Sequence, residues 1–228
     1  MALFTIFLFV FETKLEILKY LSILYQKYYL NTNFSMKITN VLFDKSISID
    51  SDKVYFDNKK QIVFVWRSNV GKSSLMNSIF EKKDLVKTSS LPGKTKTANL
   101  FTVNNKFHFV DLPGYWFAKL WKEHQKKLDD LISWYLEEFK HDIKRLVVVL
   151  DSKLGPTQID IDMFKFIQEF EIPLTFVLNK TDKLSNNEVF KSLKHTQDIF
   201  FGQKVFTVSA KKGDWVWELL KFLGESLK

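Results

Sequence analysis

From residue 61 onward the chain alternates short apolar runs with longer stretches whose apolar positions recur at helical spacing. The strand-like runs are QIVFVW (61–66), KFHFVDL (106–112), RLVVVLD (145–151), PLTFVLN (173–179) and KVFTVS (204–209). Helical segments are expected over 72–81, about 120–140, 158–170, 186–199 and 214–227. Strands that alternate with helices predict an α/β fold, a mostly parallel sheet covered on both faces. In such sheets ligands bind at the carboxyl ends of the strands, and the candidate motifs below fall there.

The first 35 residues break this rhythm. ALFTIFLFVF (2–11) is a run of ten apolar residues, too short for a bilayer, which needs about 20. No basic stretch precedes it and no small-residue cleavage site follows, which argues against a signal peptide. Leu15, Leu18, Leu21, Tyr25 and Tyr28 have roughly helical spacing, which allows an amphipathic surface helix. The alternative is that residues 1–35 lie outside the folded domain, as an extension or a mis-assigned start, with Met36 opening the domain proper at MKITNVLF.

Composition narrows the picture modestly. The chain has 228 residues, enough for one domain with a proper core. It has no cysteine, so disulfides and thiolate metal sites are ruled out. The net charge of +8 fits a lysine-rich soluble surface or a polyanionic partner such as RNA, and charge alone does not separate the two. His108, His124, His141 and His195 show no ligand spacing, which argues against a metal other than a nucleotide's Mg²⁺. Lys122, Lys126 and Lys127 read as a solvated helix face or as contacts to RNA phosphates.

The chemistry sits after the strands. WRSNVGKSS (66–74) nearly spells the phosphate-binding loop G-x-x-x-x-G-K-[ST], with Trp66 in place of the first glycine. Backbone amides of Arg67, Ser68, Asn69, Val70, Gly71 and Ser74 would wrap phosphates, helped by the positive N-terminus of the next helix. Lys72 would reach the β/γ-phosphates and the Ser73 hydroxyl would ligate Mg²⁺. DLPG (Asp111, Leu112, Pro113, Gly114) has the form D-x-x-G: Asp111 would hold Mg²⁺ through water, and the Gly114 amide would sense the third phosphate. In NKTD (Asn179, Lys180, Thr181, Asp182) the Asp182 carboxylate would accept the N1–H and N2–H₂ pair of guanine, which adenine lacks. Asn179 would hold the loop, the Lys180 stem would cover the base, and in SAK (Ser209, Ala210, Lys211) the Ala210 amide would meet guanine O6.

These stretches together resemble a TRAFAC-class P-loop GTPase, and more narrowly the EngB (YihA/YsxC) family of ribosome-biogenesis GTPases. MKITNVLF, WRSNVGKSSLMN, PGKTKTANLF, DLPGYWFAK, NKTD and SAKKG carry the resemblance, from about Met36 to the C-terminus. It implies a three-layer, Ras-like domain over 36–228 with a six-stranded sheet. It implies GTP/GDP and Mg²⁺ as ligands, a cytoplasmic monomer, and the 50S subunit or its precursor (rRNA and ribosomal proteins) as partner, with no DNA; a membrane-associated GTPase anchored by residues 1–30 is the alternative. It also assigns LPGKTKTANLF (91–101) as a switch segment: Thr95 would ligate Mg²⁺ and act in catalysis with Lys72, while Gly93, Lys94, Lys96 and Thr97 would line the nucleotide.

Two departures bear on hydrolysis. Tyr115 follows DLPG where many GTPases carry a water-orienting Gln, so intrinsic hydrolysis should be slow. Asn69 stands where related GTPases use an Asn to hold K⁺, which would supply transition-state charge; the alternative is that Asn69 only caps the loop.

Three tryptophans stand where the family has glycine: Trp66, Trp116 and Trp215. Glycine is also scarce, 7 of 228 residues, against about 7% in ordinary proteins. A gene that reads UGA as glycine, translated as though UGA meant tryptophan, would explain both. A decayed pseudo-GTPase is the other reading. With Trp genuine at 66, the expectation is backbone strain in the loop and poor GTP binding.

Overall fold

The computed structural model describes residues 36–49, 57–86, 97–115 and 122–228, with side chains from residue 129 in the last of these. The expectations for residues 1–35 and for Trp116 fall outside the described residues. Residues 37–228 form one compact unit.

The described strands are β1 (Val41–Ile47), β2 (Gln61–Trp66), β3 (Ala98–Val103), β4 (Phe107–Asp111), β5 (Ile143–Asp151), β6 (Leu174–Asn179) and β7 (Lys204–Thr207). They form one seven-stranded sheet in the order β1-β3-β4-β2-β5-β6-β7. The strands from β4 to β7 run parallel, and β1 and β3 add antiparallel edge pairs. Five described helices accompany them: α1 (Lys72–Ile79), α2 (Lys122–Glu138), α3 (Gln158–Gln168), α4 (Asn186–Ile199) and α5 (Val216–Ser226). This is the Ras-like α/β architecture the sequence predicts, with seven strands instead of six. Beyond the five runs read from the apolar pattern, the sheet adds β1 and β3, and β3 overlaps the end of the segment assigned as a switch, 91–101.

Burial follows position in the sheet. Every residue of β2 and of β6 is buried, because helices cover both faces of the central parallel strands. The edge strand β1 instead leaves Leu42 and Phe43 about half exposed. Much of the core is aromatic: the Phe176 and Phe200 rings stack with centroids 4.0 Å apart, and Phe164 packs edge-on against both. Fully burying one such ring contributes roughly 1.5–3 kcal/mol. The one polar bond deep in the α2–β2 contact is from the Tyr135 hydroxyl to Gln61 Oε1 at 2.7 Å, among the described residues.

Among the described residues no group of three or more His, Asp or Glu side chains converges. His108 is instead a structural residue of β4, with Nε2 2.9 Å from Asp57 and Nδ1 3.3 Å from the Thr102 hydroxyl. Against burial, which raises it, hydrogen bonds from Lys59 and His108 hold the Asp57 carboxyl down at about 2. Its folded value lies below the unfolded one of about 3.9, so its contribution is present above pH ~4 and lost as pH falls toward 2. Asp57 is 44% exposed, so solvent screening keeps the contribution below about 1 kcal/mol. Asp57→Asn should therefore lower the urea midpoint slightly at pH 7, with the gap from the parent shrinking by pH 2.5. A gap unchanged by pH would mean the contact is not ionic.

Candidate functional site

The described site motifs meet at the carboxyl ends of β2, β4, β6 and β7. Between β2 and α1 the chain turns through Asn69 and Gly71, both left-handed, with φ of 68° and 89°. Gly71 is fixed by space as well as by φ: a Cβ there would lie 2.7 Å from the Asn179 side-chain nitrogen. Left-handed residues in such a loop turn successive amides toward one concavity, as an anion requires. Ser73 and Val70 are buried, Arg67, Ser68, Gly71 and Lys72 half-buried, and Asn69 and Ser74 exposed.

The NKTD segment is tied directly to this loop. Asn179 Nδ2 donates to the carbonyl of Val70 at 3.0 Å, and Asn179 Oδ1 accepts from the Ala210 amide at 3.1 Å. One buried side chain thus joins three loops. The Lys180 ammonium donates to the Asn69 carbonyl and to Asp151 Oδ2 at 2.8 Å, so its stem is laid along the loop. Asp182, half-buried in a short 3₁₀ turn (Thr181–Lys183), accepts from the Ser209 hydroxyl at 2.8 Å. Ser209 therefore orients the carboxylate that would read guanine, a role the motif SAK alone does not reveal. Asp151, at the end of β5, was likewise not foreseen; its RLVVVLD run gives only a strand ending in a carboxylate. Lys211 is exposed beside Ala210.

The D-x-x-G segment continues β4 along β2. The Leu112 amide donates to the Phe64 carbonyl at 3.1 Å and the Tyr115 amide to the Trp66 carbonyl at 2.9 Å. Asp111 is 1% exposed and Lys72 Nζ bridges its two oxygens at 2.9 and 2.7 Å. Burial pushes its carboxyl up to about 6, offset in part by the Lys72 ammonium. A carboxylate buried at that cost suits a divalent cation, and Lys72, which bridges it, is followed directly by the buried Ser73 in the first turn of α1. The residues present thus fit Mg²⁺ at Asp111 and Ser73. Pro113 is buried and Gly114 half-buried.

Trp66 corrects one expectation. It is the last residue of β2, paired with Val149, and its φ is not positive. The backbone strain expected there is absent because the strand continues through this position. The indole itself is 2% exposed, with Lys72 Nζ 4.5 Å from its ring centre. A Cβ on Gly114 would come within 3.1 Å of the same ring. Trp215 behaves oppositely: it is about half exposed and left-handed, with φ 61°. Of the switch segment, residues 97–101 are described, with Thr97 half-buried ahead of β3 and 98–101 inside it; Gly93, Lys94, Thr95 and Lys96 fall outside the described residues.

A G-K-S loop at a helix start, a buried D-x-x-G carboxylate on the loop lysine and an N-K-x-D box tied to both define a P-loop GTPase domain. A family model described as 50S ribosome-binding GTPase matches residues 61–180. The probable GTP-binding protein EngB of Clostridium kluyveri is 40% identical over 170 residues, 73% of this chain and 86% of the relative. Its counterpart in Natranaerobius thermophilus is 36% identical over 82% of this chain and its own full length. A crystal structure of a probable GTP-binding protein EngB, 29% identical, covers 73% of this chain and 98% of its own with a TM-score of 0.61. The chain belongs to the EngB family of GTP-binding proteins, and so binds GTP and GDP as a GTPase. Among the described residues no helix is long and apolar enough to cross a membrane.

Proposed function

We propose that the protein is a GTP-hydrolysing switch in assembly of the large ribosomal subunit, acting in the cytoplasm as a monomer on the 50S particle or its precursor. The observation that carries the switch reading is the Asn179 side chain, which fastens the phosphate loop to both guanine-reading segments. Phosphate grip and base choice are thereby held in one frame. For the partner, support comes from the ribosome-binding description of the matching family and from the net charge of +8, which suits rRNA. Any part in cell division or septation would follow from ribosome supply.

When bound, Mg²⁺ would neutralise charge that develops on the phosphates. Ser73 and Asp111 would hold it, with Thr95 closing over the triphosphate. Lys72, now paired with Asp111, would exchange that partner for the phosphates. Tyr115 offers no group to orient water, because its hydroxyl is engaged elsewhere, on Asp160. Hydrolysis should be slow alone, with K⁺ beside Asn69 supplying the charge an arginine supplies elsewhere. The exposed, left-handed Asn69, its carbonyl drawn to Lys180, supports a loop turned outward at that point. GTP turnover is expected to be several-fold faster in KCl than in NaCl and faster again with large subunits, and to vanish in Lys72→Ala. Equal rates in both salts, with and without subunits, would refute the K⁺ and ribosome roles together.

A second reading is a binding-defective scaffold, favoured by one observation: the Trp66 indole lies between Lys72 and Gly114, where phosphate must pass. The left-handed Trp215 supports the third account, glycine read as tryptophan, since that conformation favours glycine. The mass of tryptic peptides from the native cell separates these two readings.

A further inference from the structure

Tyr115 directly follows the D-x-x-G glycine, yet its ring is 3% exposed and its hydroxyl donates to Asp160 Oδ1 at 2.8 Å. Asp160 belongs to the first turn of α3 and is fully buried. Its other oxygen accepts from Arg67 at 3.1 Å, and from the Thr157 amide and hydroxyl at 2.8 and 2.7 Å. Arg67 also donates to the Thr157 hydroxyl at 2.6 Å. One buried carboxylate therefore gathers a phosphate-loop side chain, the residue after D-x-x-G and the N-terminus of α3. Backbone contacts complete the frame: the Tyr115 amide is on the Trp66 carbonyl, and Arg67 and Tyr115 form a parallel bridge.

We propose that Asp160, through Tyr115 and Arg67, is a positioning residue that fixes the Gly114 amide for the third phosphate of GTP. Gly114 lies between two anchored neighbours. Leu112 is bonded to β2 on one side; on the other Tyr115 is bonded by its amide to β2 and by its hydroxyl to α3. A capping role for Asp160 needs only Thr157 and the helix start. It does not need Tyr115 or Arg67, which are drawn in from 45 and 93 residues away. GDP lacks the third phosphate, so a shift of Gly114 changes the binding of GTP and leaves GDP almost untouched. The inference rests on the GTPase reading of the site and adds to it the means by which the two nucleotides are told apart.

Tyr115→Phe keeps the ring in place and removes one hydroxyl. Affinities for GDP and for a non-hydrolysable GTP analogue would be measured with Mg²⁺, in the chain as given and alongside Trp66→Gly. The expected result is about tenfold weaker analogue binding with GDP affinity within twofold of the parent. Arg67→Gln should shift the same ratio in the same direction. An equal loss for both nucleotides would reduce the network to a structural role, and an unchanged ratio would overturn the proposal. Should neither Tyr115 parent bind GDP, the GTPase reading itself would fall, and the positioning role of Asp160 with it.

Discussion

Asp182→Asn should weaken GTP binding by at least about a hundredfold while improving binding of xanthosine triphosphate. Guanine presents two donors, N1–H and N2–H₂, to the carboxylate. An amide offers one acceptor and one donor, so its NH₂ would face the guanine NH₂ with no acceptor between them. A buried donor left unpaired costs roughly 1–3 kcal/mol, and more where a charged acceptor is lost. Xanthine carries a carbonyl at that position and pairs with the amide in both places. The fold should tolerate the change, because the oxygen that accepts from Ser209 at 2.8 Å is still present in Asn. Titration of GTP, xanthosine triphosphate and ATP against both proteins measures this, with thermal unfolding as a control. A variant that still prefers GTP would mean that guanine is read by some other group.

The difference between what the chain's pattern reveals and what it conceals lies in sequence distance. The five strands from residue 61 onward that carry parallel pairs were legible as apolar runs, because a strand covered on both faces needs unbroken hydrophobicity. Gly71 was legible because a left-handed turn pressed against Asn179 admits no side chain. β1 and β3 were not: the edge strand β1 exposes much of VLFDKSI, so its run is broken by polar residues, and ANLFTV overlaps a nucleotide motif, so chemistry masked that strand. The ties between Asp160 and Tyr115, between Lys180 and Asp151, and between Ser209 and Asp182 join residues 27 to 45 positions apart. No period or motif encodes such a tie; each arises when sheet order places the ends of β2, β4, β5, β6 and β7 side by side. Trp66 shows the converse limit. The motif gave the right place for an unusual residue, but the backbone strain expected there is not seen: φ at Trp66 is ordinary, and the indole is buried beside Lys72.

Trp66→Gly is expected to raise GTP affinity by at least tenfold while destabilising the nucleotide-free protein. The indole lies beside both the loop lysine and the D-x-x-G glycine: Lys72 Nζ lies 4.5 Å from the ring, and a Cβ on Gly114 would meet the ring at 3.1 Å. Lys72 can reach a phosphate only by leaving Asp111, and Gly114 can approach one only if the indole yields. Removing it opens that path. The loss is a ring packed on Phe64 and 2% exposed. Large-to-small changes of this size cost about 3–5 kcal/mol, and a glycine in a strand adds about 0.5–1 kcal/mol. No strain is released in return, because φ at Trp66 is already in the ordinary region. Nucleotide at 100 times its Kd would restore about 2.7 kcal/mol, so GTP should raise the Tm of the glycine variant far more than that of the parent. Thermal unfolding of both proteins with and without Mg²⁺ and GTP reads both effects in one experiment. Equal affinity in the two proteins would show that the indole moves aside freely, and that Trp66 is no obstacle to the phosphates.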